Sequence, residues 1–416
     1  MWNRDGELTA IADERAVLWS TKHRREATQD DRMKGERPHP EDFLALVERA
    51  KRGHLKVYIG PAAGVGKTYQ MLEEAHILKK RGVDVVLAFI ETHGRPDTAA
   101  LVEGLECIPR RRIEYRGVVV EEMDLEAVLA RRPQVAIVDE LPHTNVPGCR
   151  NKKRYQDVLE LLDAGINVIC AMNIQHLESL NDLVKQATDV VVRETVPDSF
   201  LKQADQVVNL DLAVEDLLER LRTGKIYSPE KISWAIEHFF KAENLSILRE
   251  IALREVAQSI DQSVSAQIPA DEASRKAAAS ERVMVCMSSH PPHGATLLRR
   301  GSRMAGRLNT DWFAVYVETP NEAPTRIDAE VQRHLLDNIE KARQLGAEVV
   351  RLQAKDPVPA LIEFARSHGV GHIIIGRSPQ PWWRQLLRRS IMLKLVKEAA
   401  GFDVHIVSFE GEEERP

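Results

Sequence analysis

A chain of 416 residues, 43% hydrophobic and 29% charged, is too long for one ordinary domain and too apolar for wholesale disorder. Its 58 basic and 63 acidic side chains give a formal charge of −5, and no region is basic enough to neutralise many duplex phosphates, so the composition argues against nucleic-acid binding. Aromatic residues make up only 5%, and the apolar content is mostly Leu, Val, Ile and Ala, as in parallel strands buried on both faces.

In chain order, residues 1–40 are polar and show no sustained periodicity, and read as a mobile arm or loose helix. A first domain is expected over 41–255. It opens with an amphipathic helix, EDFLALVERAKR, that leads to Gly53 and the buried strand LKVYIG. Strands are predicted at 55–60, 84–91, 134–139, 167–173 and 189–195, with a weaker one at 206–210. Helical patterns lie between them, which implies a mostly parallel sheet covered by helices on both faces. Residues 212–257 read as helical, with a break at Thr223-Gly224 and a restart at Ser228-Pro229, an N-cap followed by a first-turn proline.

Between 256 and 280 the composition turns to Ser, Ala, Gln and Asp, marking a linker or exposed helical connector. A second domain is expected over 281–410, with strands at 282–288, 312–318, 348–353, 372–376 and 403–409 and helices at 295–308, 327–345, 357–368 and 384–400. That alternation makes a complete small α/β domain, closed by an acidic tail at 411–416. The cysteines Cys107, Cys149, Cys170 and Cys286 are far apart and form no CxxC pair, which argues against a disulfide framework or a zinc site and fits a reducing cytoplasm. No apolar stretch approaches the roughly 18 residues of a membrane span, and the N-terminus lacks the apolar core of a leader, so a role at a membrane would need a partner.

The strongest chemical signal follows the first strand. Gly64-Val65-Gly66-Lys67-Thr68 opens a helical segment, the strand, glycine loop and helix order of a P-loop. Glycines let backbone N–H groups turn around a β-phosphate, Lys67 can reach the β- and γ-phosphates, and the Thr68 hydroxyl can bind Mg²⁺. The nucleotide-binding set read from this loop is Gly60, Gly64, Val65, Gly66, Lys67, Thr68 and Tyr69. The usual pattern has a glycine where Pro61 stands, with Gly60 one position earlier, so a turn that merely caps a helix is the competing reading.

A metal at such a loop needs a second acid, and the strand QVAIVDE ends in two. Asp139 is the expected metal-side carboxylate, and Glu140 could orient or deprotonate an attacking water or hydroxyl, with Lys67 as the third catalytic group. Other strand ends should converge on the same crevice, because ligands of open parallel sheets sit outside the carboxyl ends of the strands. They supply Glu91, His93, Arg95 and Asp97, then His143, then Asn173, Gln175 and His176, and finally Arg193 with Glu194 and Thr195. Taken singly each histidine suits a surface or capping role; together they mark a site facing Lys67.

The segments GPAAGVGKTYQML, ETHGRPDTAALVEGLE, VDELPHTNVPGCRNKKRYQDVLELLDAGINVICAMNIQHLESLND and RETVPD closely resemble the cytoplasmic N-terminal domain of the KdpD potassium sensor kinases, from about residue 52 to 253. The resemblance implies a P-loop NTPase-type sensor domain, with ATP and Mg²⁺ as cofactors and potassium-pump subunits, a sensor kinase or a response regulator as partners. Residues 281–409 resemble the universal-stress-protein domain that follows in that family, a five-stranded parallel α/β/α unit. Its ATP-binding members carry a glycine pattern that falls here on Gly376, Pro379, Arg389 and Ser390; two of the three glycines are replaced, which puts ATP binding there in doubt. Some relatives sense cyclic di-AMP in this domain, a role that Ala314, Tyr316, Ser288 and Ser289 only partly suit. Arg377, Trp382, Trp383, Arg384, Arg388 and Arg389 could stack on a base or a partner, although a tryptophan pair beside an amphipathic helix is more often packing.

Members of the family continue into transmembrane helices, a phospho-accepting histidine helix and a kinase domain. These residues hold none of them, which implies a sensor module without histidine autophosphorylation, either stand-alone or cut from a larger protein. Three functions compete: an ATP-binding regulatory module controlling potassium uptake, a P-loop kinase or NTPase that transfers the γ-phosphoryl group to a Ser/Thr hydroxyl of a pump subunit or to water, and a scaffold whose sites have decayed. Intact Lys67-Thr68 and Asp139-Glu140 argue against decay.

Overall fold

The computed structural model describes residues 51–227, 229–267, 281–287, 294–320, 328–376 and 391–408. The expected arm, most of the opening helix, the end of the connector, Ser288 and Ser289, the Trp382-Trp383 cluster with Pro379, Arg389 and Ser390, and the acidic tail lie outside them.

The first half runs β1 (Leu55–Gly60), α1 (Lys67–Lys80), β2 (Val85–Phe89), α2 (Pro96–Ala100), β3 (Glu106–Cys107), β4 (Arg111–Tyr115), β5 (Val118–Glu122), α3 (Leu125–Arg131), β6 (Val135–Val138), α4 (Arg154–Asp163) and β7 (Asn167–Asn173). Two short 3₁₀ turns, Ile174–His176 and Glu178–Leu180, lead to α5 (Asn181–Thr188), α6 (Asp198–Leu201), β8 (Gln206–Asn209), α7 (Val214–Arg222), α8 (Pro229–His238) and α9 (Ala242–Gln267). The six-stranded sheet has the order β3-β2-β6-β7-β1-β8, and every pairing in it is parallel.

Strand β1 shows why these residues form a central strand. Leu55, Val57 and Ile59 alternate into the core layer that holds Leu161 and Leu248, whereas Tyr58 points into the layer of Met71, Leu72 and Ala75 on α1. With helices on both faces the run is apolar but for Lys56, whose ammonium donates to Glu74 at 2.8 Å, and truncating a buried Leu to Ala in such a layer costs about 2–5 kcal/mol. Helix α9 runs to Gln267, so the first part of the expected connector is helical.

One expectation fails. Residues 189–195 form no strand: Val191 is 57% exposed, Val192 is buried, and the nearest pairing is the single bridge Leu177–Val196. The weaker 206–210 strand forms as expected, as the sheet edge β8 beside β1. The antiparallel hairpin β4–β5, turning at Arg116 and Gly117, was not expected; both residues have the positive φ of a primed turn, 53° and 78°.

The second half runs β9 (Arg282–Met287), α10 (Gly294–Leu308), β10 (Trp312–Glu318), α11 (Ala329–Gln344), β11 (Glu348–Gln353), α12 (Pro357–Ser367), β12 (Val370–Gly376), α13 (Ile391–Glu398) and β13 (Asp403–Val407). Its parallel sheet has the order β11-β10-β9-β12-β13, the five-stranded α/β/α arrangement expected. Ala314 and Tyr316 are buried in β10.

The halves meet through charge. Arg299 of α10 puts Nε and Nη2 at 3.0 and 2.9 Å from Glu178 Oε1, which also meets Lys341 of α11 at 3.0 Å. One turn on, Arg303 forks onto Asp182 at 2.6 and 3.1 Å and donates to the Ser179 carbonyl. Glu178 is almost fully buried, so its charge is sustained by these cations.

Candidate functional site

The carboxyl ends of β1, β2, β6 and β7 frame one cleft of about 270 Å³. Its wall includes Gly64, Gly66, Lys67, Thr68, His93, Arg95, Asp139, Glu140, His143, Asn173, His176 and Glu194, twelve of the residues singled out from sequence. Strand order explains the convergence: β7 lies between β1 and β6, so Asn173 at its end separates the glycine loop from the Asp139 strand.

Local conformation follows from residue type. Gly64 and Gly66 have φ of 93° and 99°, values that L side chains resist, and Gly66 is the N-cap of α1 with no side-chain cap. The first turn of α1 carries no acidic residue, so its N–H groups and dipole are left to an anion. Lys67 Nζ donates to the Ala62 carbonyl at 2.9 Å and to Asn173 Oδ1 at 2.5 Å. Burial of the ammonium pulls its pKa down to about 8 against the attraction of Asp139, with Arg95 adding to the depression.

Across the cleft, Thr68 Oγ1 donates to Asp139 Oδ2 at 2.8 Å, and Asp139 Oδ1 accepts the Glu140 N–H at 2.8 Å. A hydroxyl and a carboxylate held this close are the two protein groups through which a phosphate-bound Mg²⁺ is anchored directly or through its water. Among the described residues no group of three or more His, Cys, Asp or Glu could hold a metal, which such a site does not require because phosphates and water complete the shell.

Glu140 adopts φ 51°, a strained setting for a non-glycine residue. Burial, and then Asp139, pushes its carboxyl above the ordinary range, while His93 at 3.4 Å and Arg154 at 3.8 Å draw it back. Arg154 is fully buried, lies 3.7 Å from the Phe89 ring centroid and donates to Glu122 Oε2 at 3.1 Å. Glu122 also takes His143 Nε2 at 3.0 Å and the Val146 N–H at 3.0 Å. Burial pushes Glu122 up, but these three donors outweigh it and hold the group below its usual range. His176 donates from Nδ1 to the Glu194 carbonyl at 2.8 Å, and burial lowers its pKa, which favours the neutral ring.

The remaining sequence candidates do not line the cleft. Gly60 lies behind the loop, where an added Cβ would sit 2.6 Å from Val65 Cγ2; Val65 itself is buried, and Tyr69 is exposed on α1. Glu91 pairs with Arg110 at 3.3 Å, Asp97 lies exposed in the first turn of α2 without a capping bond, and Gln175 sits in the 3₁₀ turn beyond Asn173. Arg193 is exposed, and its neighbour Glu194 lines the cleft instead. Sequence reasoning missed Arg154 and Glu122, because a helix start and a hairpin strand remote from the motifs bring them there.

A family model described as "Osmosensitive K+ channel His kinase sensor domain" matches residues 51–260. The chain is 43% identical over 375 residues to the sensor protein KdpD of Escherichia coli, covering 90% of this chain and 41% of that protein's length. It is 44% identical over 361 residues to a putative sensor protein KdpD of Synechocystis, covering 86% of this chain and 95% of that one. A solved universal stress protein in complex with cAMP aligns to 32% of this chain and 99% of its own at 19% identity, with a TM-score of 0.26. On its glycine loop, the site built around it, the family-model match and the match to the Synechocystis relative, the chain belongs to the KdpD sensor protein family.

Proposed function

We propose that the cleft binds ATP with Mg²⁺ and that the chain acts in the cytoplasm as a nucleotide-dependent sensor in signalling that controls potassium uptake. The observation that carries the reading is the pairing of Thr68 with Asp139 at 2.8 Å beside Lys67, at the uncapped start of α1. In this reading the N–H groups of residues 64–68 and Lys67 take the β-phosphate, and Thr68 and Asp139 hold the metal that bridges the phosphates. A volume near 270 Å³ is below the 300–1,000 Å³ range typical of sites that enclose a whole small molecule, so it suits the phosphate chain and metal, with the base at the rim. Membership of the KdpD family supports the signalling role, and its partners would be subunits of the potassium pump, a sensor kinase or a response regulator.

Lys67→Ala removes the only lysine on the cleft wall among the described residues and abolishes Mg·ATP binding in calorimetry; undiminished binding would refute the assignment. A second reading is supported by Glu140, whose strained backbone and raised pKa suit a proton acceptor beside the proposed metal position. It predicts label transfer from γ-labelled ATP to a Ser/Thr hydroxyl or to water. Activity equal to that of Glu140→Gln would leave the regulatory reading alone.

A further inference from the structure

We propose that Arg95 binds the terminal phosphate of the nucleotide, and that its exchange between that phosphate and the Ile226 carbonyl couples the nucleotide state to helices α7 and α8. The inference rests on the cleft being a Mg·ATP site and assigns one of its residues a role that the glycine-loop motif does not cover.

Arg95 is held in place by the chain around it. It is the extended N-cap of α2, followed by Pro96, whose ring fixes the start of that helix. Its side chain lines the same cleft as Lys67, Thr68 and Asp139. The sheet order β2-β6-β7-β1 gives its direction of approach. The glycine loop follows β1 and Arg95 follows β2, with the Asp139 and Asn173 strand ends between them. A phosphate chain that starts on the loop and extends toward the metal carboxylate therefore meets Arg95 last.

The guanidinium is incompletely used. Nη2 donates to the Ile226 carbonyl at 3.1 Å, while Nε is buried and has no acceptor among the described residues. Burial also lowers its pKa, a cost that an anionic partner removes. A planar fork of donors matches phosphate oxygens better than a single carbonyl does.

Ile226 is the mechanical half of the device. An added Cβ on Gly64 would lie 2.2 Å from Ile226 Cδ1, so this side chain seats directly on the crest of the phosphate loop. Arg220 of α7 donates to the Gly64 carbonyl at 3.0 Å. Leu217, Leu221, Ile226 and Ala235 share one apolar cluster with Ala62 and Val65. The turn between α7 and α8 is thus held from one side by the loop that takes the β-phosphate and from the other by Arg95. Withdrawing Arg95 releases one of these holds, which ADP, lacking the terminal phosphate, cannot do.

Calorimetry with Mg·ATP and Mg·ADP on the full chain, together with amide hydrogen exchange over residues 214–238, tests this. Wild type is expected to bind ATP about tenfold or more tightly than ADP, the worth of a charged hydrogen-bond pair. Arg95→Ala should erase that margin with ADP affinity kept within about twofold, and Arg95→Lys should recover part of it. ATP but not ADP should change exchange at 220–227 in wild type, and neither should in Arg95→Ala. Equal losses for both nucleotides would make Arg95 a structural latch only, and unchanged ATP affinity would exclude the contact; either overturns the inference while ADP binding still supports the site. Failure of wild type to bind either nucleotide would instead overturn the underlying reading.

Discussion

Lys67 makes nucleotide affinity depend on pH in a calculable way. Burial holds its ammonium at about 8, down from an ordinary value of 10.5. A bound phosphate favours the charged form, so the complex keeps the proton to higher pH than the free protein does. Affinity is therefore full below pH 8 and declines above it, where binding must bring in a proton. With about 8 in the free protein and about 10 or more in the complex, affinity is divided by roughly 1.1 at pH 7 and roughly 11 at pH 9, a tenfold loss or about 1.4 kcal/mol. Bound Mg²⁺ lowers the last ionisation of the phosphates from near 6, so in Mg·ATP it is essentially complete over that range. Titration calorimetry of Mg·ATP in two buffers of different ionisation enthalpy should record uptake of about 0.1 proton at pH 7 and about 0.9 at pH 9. Lys67→Arg, which stays charged throughout, should bind more weakly but without the slope. A flat wild-type affinity without proton uptake would mean that the phosphate does not reach this ammonium.

Asp139→Asn should remove the enhancement of nucleotide binding by Mg²⁺ while leaving the weaker metal-free binding, read by titration with and without chelator. Gly64→Ala forces a side chain onto φ 93° and into Ile226, and should lower stability by about 1–3 kcal/mol in denaturant unfolding. Arg154→Met strands the buried Glu122 carboxylate and should cost about 3–5 kcal/mol, much of it regained when Glu122→Gln is added. Glu255 is raised from 4.5 to about 7, first by burial and then by Asp198. An acid held above its ordinary value costs stability above the folded pKa, and that cost is relieved as pH falls through it. Glu255→Gln should therefore raise the melting temperature most at pH 8, by less at pH 5, and not at all well below pH 4.5.

What the sequence made legible were features written in contiguous residues. All five strands of the second sheet, and every strand of the first but the two-residue edge β3, were readable as short β-branched runs between helical patterns, and Lys67, Thr68, Asp139 and Asn173 were readable because each ends or follows such a run. Residues 189–195 misled because Val190, Val191 and Val192 have strand composition, yet the nearest pairing among the described residues is the single bridge Leu177–Val196. The β4–β5 hairpin carried a usable signal, Arg116-Gly117 between apolar runs, that was overlooked. Arg154, Glu122 and Ile226 had none: a buried arginine over Phe89 and an isoleucine against Gly64 exist only once remote elements have packed.

The ion pairs of Arg299, Arg303 and Lys341 with Glu178 and Asp182 bear on what the covalent connector is for. Point charges that must meet in one register define the placement of one half on the other by themselves, and their burial keeps salt from screening them strongly. A register set by these pairs does not need the covalent link to specify it, and the link would serve to raise the local concentration of one half at the other. Lengthening it with Gly and Ser should leave the docked arrangement intact, and the two halves made as separate chains should find the same register. Reversing the charge of Arg303 should undock them even with the tether uncut.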